Sequence, residues 1–145
     1  MKGRRHSPFK KILAGFDGSP QSEKAVDSAL ALARSLDAGV LLLAVARPPE
    51  PATIVEVDAM IDEAREHFAQ QFKKIAQRAQ EMEVEIRTEI VVGHPVEQIV
   101  HRAELEGTDL IVLGRRGKSR FEKMLVGSTA EKVLRYAHCP VMVVR

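Results

Sequence analysis

Cysteine is almost absent from this chain of 145 residues, which contains a single one, Cys139. One cysteine excludes an internal disulfide framework, and without a second cysteine nearby there is no zinc-ligand spacing. A chain of this kind suits a reducing compartment. We therefore expect a cytoplasmic protein.

The chain also lacks an apolar run of the ~20 residues that are needed to span a bilayer. The apolar run that follows the basic N-terminus, residues 12–16, stops at Asp17 and is too short for a signal peptide. We expect no membrane partner.

Charge of one sign is not in marked excess, because 22 Lys and Arg stand against 20 Asp and Glu. Part of the basic excess lies at the start of the chain, in Lys2, Arg4 and Arg5. An excess this small does not indicate nucleic-acid binding. We expect residues 1–9 to form a flexible basic tail and residues 10–145 to form one domain.

Short apolar runs alternate with longer segments of helical periodicity, a pattern typical of repeated βα units around a parallel sheet. The predicted strands lie at residues 11–16, 40–46, 84–92, 110–113 and 141–144. The predicted helices begin at Pro20 and cover residues 57–83, 96–106 and 128–137. The fold class is therefore α/β.

The ends of the first helix carry recognisable signals. Ser19 suits the N-cap and Pro20 the first helical position, and Gly39 is expected to close the helix. In the second helix, the stripe of Met60, Phe68 and Phe72 is interpreted as core rather than as a ligand pocket.

The third and last strands are expected at edges of the sheet. Residues 84–92 alternate apolar and charged side chains, which indicates one partly exposed face. The last strand, Val141–Val144, either completes the sheet or pairs with a second copy of the chain, so we expect self-association.

A candidate phosphate site follows the fourth strand. Gly114 and Gly117 are followed by Gly127-Ser128, where a helix begins, and nine residues lie between Gly117 and Gly127. Glycines allow a phosphate to approach the backbone, and a helix start offers unpaired N–H groups. The loop adds positive charge at Arg115, Arg116, Lys118, Arg120 and Lys123.

Two other interpretations of this segment stay open. Ser128 and Glu131 have the spacing of a capping box, in which their side chains satisfy the first helical turn locally. The loop charges also suit a solvated face. Known phosphate motifs do not fit, because Val112 stands where a P-loop needs glycine and the turn after the first strand lacks G-x-G-x-x-G spacing.

Asp17, at the end of the first strand, is the candidate for a contact with a base or ribose. Ligands of open parallel sheets bind outside the carboxyl ends of the strands, where the winding reverses. If the first strand lies beside the fourth, Asp17 is at this place. The alternative is an Asx-type turn with Gly18 and Ser19.

From residue 11 to residue 144 the sequence resembles the universal stress protein family. The similar segments are residues 11–19 (KILAGFDGS), the Gly93-His94-Pro95 turn, the G-x-x-G-x9-G-[ST] signature from Gly114 to Ser128, and residues 137–144. The resemblance implies a Rossmann-like, five-stranded parallel sheet of order 3-2-1-4-5. It also implies a homodimer through Val141–Val144 and membership of the ATP-binding subgroup.

The resemblance implies a site residue by residue. The residues placed around the phosphates and ribose are Gly114, Arg116, Gly117, Gly127, Ser128 and Thr129. Those placed around adenine are Gly15, Asp17, Leu113 and the backbone of Val45. The ligand would be ATP, or AMP or ADP, with Mg²⁺ accompanying the triphosphate. Ala130 departs from the family, whose members often carry a hydroxyl there.

We expect a regulatory module that senses adenine nucleotide. The first alternative is a slow ATPase, or a protein that phosphorylates itself at Ser119, Ser128 or Thr129. The second is a dimeric interaction protein without a ligand. The sequence offers an enzyme little, because it has no nucleophile triad and no metal cluster, and His94 and His101 are interpreted as structural or exposed.

Overall fold

The computed structural model describes residues 7–48, 54–115 and 126–145. Along the chain the elements are β1 (Lys11–Gly15), α1 (Pro20–Leu36), β2 (Gly39–Ala46), α2 (Ile54–Glu81), β3 (Ile86–Val92), α3 (Pro95–Glu106), β4 (Leu110–Gly114), α4 (Ser128–Tyr136) and β5 (Val141–Val144). The strands form one parallel sheet in the order β3-β2-β1-β4-β5. This confirms the α/β class and the strand order.

The helices cover both faces of the sheet. Residues of α1 and α2 pack with Ile12, Ala14 and Leu42 on one face, whereas α3 and α4 pack with Leu13 and Ile111 on the other. Neighbouring side chains of a strand point to opposite faces, so the central strands need apolar residues at every position. This explains the unbroken apolar runs that predicted them.

The start of α1 is as expected, but its end is not. Ser19 is the N-cap, with its Oγ accepting from Ser22 N, and Pro20 occupies the first turn. The prediction that Gly39 closes the helix is wrong, because Asp37 is the C-cap with φ 54° and Gly39 is the first residue of β2. Asp tolerates this left-handed conformation better than most residues, since its short side chain bonds locally.

Both edge strands are where the sequence placed them, since β3 and β5 end the sheet. Some element ends differ from the prediction: α2 begins at Ile54 rather than residue 57, and β3 begins at Ile86 rather than residue 84. No helix in the described parts of the chain is long and apolar enough to cross a membrane. Most of the basic tail, residues 1–6, lies outside the described residues.

Candidate functional site

A cleft of about 910 Å³ opens beyond the carboxyl ends of β1, β2 and β4. The strand order reverses here, because the chain winds from β1 toward β2 on one side and reaches β4 on the other. Every predicted site residue that the structure describes lines this cleft: Gly15, Asp17, Val45, Leu113, Gly114, Gly127, Ser128 and Thr129. Arg116 and Gly117 lie outside the described residues.

Gly15 leaves room at the floor of the cleft. A Cβ at this position would lie 2.6 Å from Cδ2 of Leu113, which is too close for two carbon atoms. Leu113 is itself 6% exposed and packs into the core on the α3 and α4 side. Because Gly15 has no side chain, the Leu113 side chain can pack against the end of β1. The ends of β1 and β4 together form the floor of the cleft.

Gly114 has a packing role that the sequence did not reveal. A Cβ on Gly114 would lie 2.8 Å from the backbone C and O of Gln21 in the first turn of α1. The start of α1 thus lies directly against the end of β4. Close helix–sheet packing is sufficient to require glycine here, whether or not a phosphate also approaches.

The start of α4 rules out the capping box. Gly127 is the N-cap, so Ser128 is the first helical residue, and Glu131 donates its backbone N–H to Gly127 O at 3.0 Å. Gly127 has no side chain with which to cap the helix, and none of its cap hydrogen bonds is therefore made by a side chain of its own. The amides of Ser128 and Thr129 lie in the first turn, where the helix itself supplies no acceptor.

Backbone hydrogen bonds close the base of the loop between β4 and α4. Gly127 N–H donates to Arg115 O at 2.6 Å, and Arg115 N–H donates to Val144 O at 2.7 Å. The start of α4 is therefore tied to the end of β4, and both are tied to β5. Because the Gly127 amide is engaged in this way, the first-turn amides that follow it are the ones available to a ligand.

Arg115 brings a positive charge to the same end of the cleft. It is half-buried and lines the cleft, and its Nε atom is buried without a hydrogen-bond partner among the described residues. A buried guanidinium nitrogen without an acceptor is costly, because it has lost its hydration. An anionic ligand in the cleft would supply the acceptor.

Asp17 makes the Asx turn and also lines the cleft. Its Oδ1 accepts from Ser19 N at 2.9 Å, which confirms the turn, and its own N–H donates to Ser22 Oγ at 3.4 Å. These bonds fix the carboxylate on the β1 side of the cleft. The turn and a ligand contact are thus compatible.

Helix α2 supplies a wall that the sequence analysis missed. Met60, His67 and Phe68 line the cleft, so the Met and Phe stripe is more than core. Phe68 does both, because it is 7% exposed and its ring lies 5.8 Å from that of Phe16. Only the helical spacing of these residues could have indicated one shared face, and it does not show what that face meets.

The charged groups around the cleft are of both signs. Two of them are positive, Arg115 and Arg47, and the sequence had not indicated Arg47 as a site residue. Two are negative, Asp17 and Glu63. Among the residues that the structure describes, no three His, Cys, Asp or Glu side chains come together in a group that could hold a metal ion. His94 and His101 are exposed and are not among the described cleft residues.

Residues 8–145 match the sequence model of the universal stress protein family. The chain belongs to this family. A universal stress protein of Methanocaldococcus jannaschii is 37% identical over 144 residues, which cover 94% of this chain and 82% of that protein.

Solved structures of the universal stress protein fold agree with the sheet described above. Hypothetical protein MJ0577, a test case for structure-based assignment of biochemical function, aligns with a TM-score of 0.84 at 31% identity, covering 95% of this chain and 96% of its own. A universal stress protein in complex with cAMP aligns with a TM-score of 0.75 at 27% identity, covering 96% and 99%.

Ala130, where members of the universal stress protein family often carry a hydroxyl, is buried at the side of the cleft. Ala130 lines the cleft but is 3% exposed, and it packs in the core beside Val133. Its methyl group offers a ligand no hydrogen bond. The polar contacts of α4 in the cleft must therefore come from Ser128, Thr129 and the first-turn amides.

Proposed function

We propose that this universal stress protein family member binds ATP in the cleft and acts as a dimeric, nucleotide-responsive regulatory module. The observation that carries the proposal is the convergence of the described predicted site residues on one cleft of about 910 Å³. This volume lies within the ~300–1,000 Å³ that is usual for ligand pockets. The first and last of these residues, Gly15 and Thr129, are more than a hundred positions apart in the sequence, so local structure does not explain their meeting.

The base would lie toward β1 and β2. Val45 offers backbone groups at the end of β2, Met60 and Phe68 offer apolar surface, and Asp17 offers a carboxylate that accepts from an amino group. A family member with the same fold has been solved with cAMP, an adenine nucleotide. These features support adenine at this end of the cleft.

The phosphates would lie toward α4. The first-turn amides of Ser128 and Thr129 and the unpartnered Nε of Arg115 present donors on one side. In the sequence, Arg116 and Gly117 come directly after Arg115. The segment between Arg115 and Gly127, whose backbones are joined by a hydrogen bond, contains further Lys and Arg residues. This charge supports a triphosphate, with Mg²⁺ held mainly by phosphate oxygens.

The proposal is tested by calorimetric titration with Mg²⁺ and ATP, AMP, cAMP or GTP. We expect ATP to bind in the micromolar range and GTP to bind more weakly. Arg115→Gln should weaken ATP binding roughly ten- to a hundredfold, because a charge-assisted hydrogen bond is lost. The control Arg34→Gln makes the same change in the last turn of α1, remote from the cleft, and should leave the affinity unchanged.

Absence of ATP binding at millimolar concentration would overturn the proposal. Equal losses in Arg115→Gln and Arg34→Gln would show instead that net charge alone matters.

Self-phosphorylation is a second candidate, because Ser128 and Thr129, which carry hydroxyl groups, are among the residues that line the cleft. Incubation with γ-labelled ATP followed by peptide mapping tests it directly. Label that is absent from the peptide containing both residues, or label that persists in Ser128→Ala with Thr129→Val, would remove this candidate.

Dimerisation is proposed through β5. Ile111 N–H donates to Pro140 O and Arg115 N–H to Val144 O, so even-numbered residues bond to β4. Val141 and Val143 consequently present their backbone groups on the outer edge. Met142, which is 37% exposed, adds apolar surface beside that edge. An exposed apolar edge of this kind favours pairing with a second copy.

A further inference from the structure

The outer edge of β3 has backbone groups available for pairing. At its start Val40 N–H donates to Glu85 O, and at its end Gly93 N–H donates to Ala46 O, both at 2.9 Å. Along a strand, the backbone N–H and C=O groups of successive residues point alternately to one neighbouring strand and to the other. Since Glu85 and Gly93 bond to β2, all the odd-numbered residues of β3 do so. The residues that turn N–H and C=O outward are Ile86, Thr88, Ile90 and Val92. Within the described ranges, β2 is the strand that pairs with β3 and no other does.

This edge is accessible along a groove between α2 and α3. A cavity of about 390 Å³ follows the strand there, and its lining comes from both helices and from the edge itself. Residues of that lining are Arg65 and Phe72 of α2, Arg102 of α3, and Thr88, Glu89, Ile90 and Val91 of β3. The edge is thus open between its flanking helices.

The two faces of β3 beside the edge differ in chemistry. Ile86 and Ile90 pack toward the α2 side. On the α3 side, Arg87 pairs with Glu106 at 2.7 Å, and Glu89 pairs with Arg102. Two side chains of opposite charge are therefore held next to the edge, two residues apart.

We propose that β3 pairs antiparallel with β3 of a second copy of this chain, with Thr88 opposite Thr88. In this register outward-facing residues meet one another, since Thr88 faces Thr88 and Ile86 faces Ile90. Arg87 lies opposite Glu89 of the second copy, and by symmetry the same pair forms twice. Directly opposed residues between hydrogen-bonded pairs approach to about 4.5 Å between Cα atoms, so their charges interact.

Neighbouring registers that keep the backbone bonds are disfavoured by charge. Moving the symmetry axis to Arg87 places Arg87 opposite Arg87 and Glu85 opposite Glu89. Moving it to Glu89 places Glu89 opposite Glu89. Like charges directly opposite each other destabilise a sheet, so the register centred on Thr88 is favoured over these two neighbours. In this register the charged residues of β3 complement those of an identical strand. We therefore infer that the partner strand belongs to a second copy of this chain.

The β3 contact is independent of the β5 contact, because the two strands lie at opposite ends of the sheet. It also needs no nucleotide, since no residue of the described parts of the chain lines both the groove and the cleft. Its success or failure is therefore separate from that of the proposed function.

Charge exchange tests the register. In a Val143→Pro background, which removes an outward N–H from β5, Arg87→Glu and Glu89→Arg are each prepared for sedimentation velocity. The dimer of each single variant should have a dissociation constant at least about tenfold higher than that of the background, because like charges then face each other. An equimolar mixture should associate again, since the two acidic side chains of the first variant then lie opposite the two basic side chains of the second.

The matched control is Glu106→Gln, which removes the partner of Arg87 within the chain but leaves the edge unchanged. It should associate like the background. The proposal would be overturned if the equimolar mixture of Arg87→Glu and Glu89→Arg associated no better than each variant alone. It would also be overturned if the background were monomeric at every concentration.

Cross-linking gives a second readout that requires no change of charge. Thr88→Cys, in a Cys139→Ser background, places two thiols on the symmetry axis about 5.5 Å apart between Cα atoms, within disulfide range. Mild oxidation should give a covalent dimer. Arg87→Cys in the same background places the thiols roughly 8 Å apart between Cα atoms and should not. Equal cross-linking of both variants, or of neither, would contradict the register.

Discussion

At the scale of single residues, Gly15 and Gly114 lie on the floor of the cleft for different reasons. A Cβ on Gly15 would meet the tip of the Leu113 side chain, which can move. A Cβ on Gly114 would meet the backbone of Gln21, which cannot move without shifting the start of α1. The difference is in what each missing methyl group would displace.

Gly114→Ala should therefore destabilise the protein more than Gly15→Ala. We expect Gly114→Ala to lower the free energy of unfolding by about 1–3 kcal/mol, the usual range for overpacking. Urea denaturation measures it, with Gly39→Ala as a control because the nearest atom to its Cβ is 3.9 Å away. A control that loses as much stability as Gly114→Ala would show that backbone flexibility, not packing, is the cause.

Cys139 is the other residue whose surroundings predict a measurable property. Burial raises the pKa of its thiol above the ordinary 9.0, the Asp109 carboxylate raises it further, and a hydrogen bond with the Ile111 backbone opposes them. We expect iodoacetamide to alkylate Cys139 more slowly in the native protein than in urea at pH 8, because the thiolate is the reactive form.

The sign of the pH dependence follows from the same shift. The folded state favours the neutral thiol, so Cys139 contributes stability below pH 9.0, the ordinary pKa of the thiol, and loses it as pH rises through the higher folded pKa. The alkylation rate of the native protein should keep rising with pH beyond the point where the unfolded chain levels off. A native rate that levels off first would contradict the shift.

At the scale of elements, α1 and α4 begin near the same cleft with serines in different positions. Ser19 is an N-cap, buried to 6% exposure, and its Oγ accepts from Ser22 N at 3.1 Å. Ser128 is one position further in, after the N-cap Gly127. One serine caps its helix, and the other lines the cleft from the first turn of its helix.

Ser19→Ala and Ser128→Ala should separate these roles. Ser19→Ala should lower the free energy of unfolding by about 1 kcal/mol through loss of the cap, and Ser128→Ala should change it by less than about 0.5 kcal/mol. Thermal unfolding without nucleotide measures both. A loss in Ser128→Ala equal to that in Ser19→Ala would restore the capping-box interpretation.

At the scale of the whole molecule, the sheet ends in two strands whose outer edges are open to pairing. Val143→Pro should remove the β5 contact without disturbing β4, because the N–H of Val143 faces outward. Val143→Ala keeps that N–H and serves as the control. Light scattering should show a monomer of 16.1 kDa when Val143→Pro is combined with Arg87→Glu, and larger species with either change alone.

A monomer with Val143→Pro alone would leave β5 as the contact that forms in solution. Retention of the full assembly in Val143→Pro would exclude β5.

Part of the cleft was predictable because its residues carry local signals, whereas Gly15, Val45 and Leu113 were expected only from the family resemblance. Asp17 follows a strand and precedes a cap, and Gly127-Ser128 precedes a helix, so each signal lies within a few residues. His67 and Arg47 carried no such signal, because nothing near them in sequence distinguishes a cleft residue from a surface residue. Their positions depend on where α2 and the end of β2 meet β1, which is a contact between distant segments.

The sequence by itself determined the α/β class, the strands and helices, and the edge character of β3 and β5, because apolar periodicity reports directly which faces are buried. Only the tertiary structure decided that Gly114 is needed by α1, that Asp37 rather than Gly39 ends that helix, and that α2 walls the cleft. It also showed which backbone groups of the edge strands face outward. These depend on distances between segments far apart in the chain, on which a single sequence places little constraint.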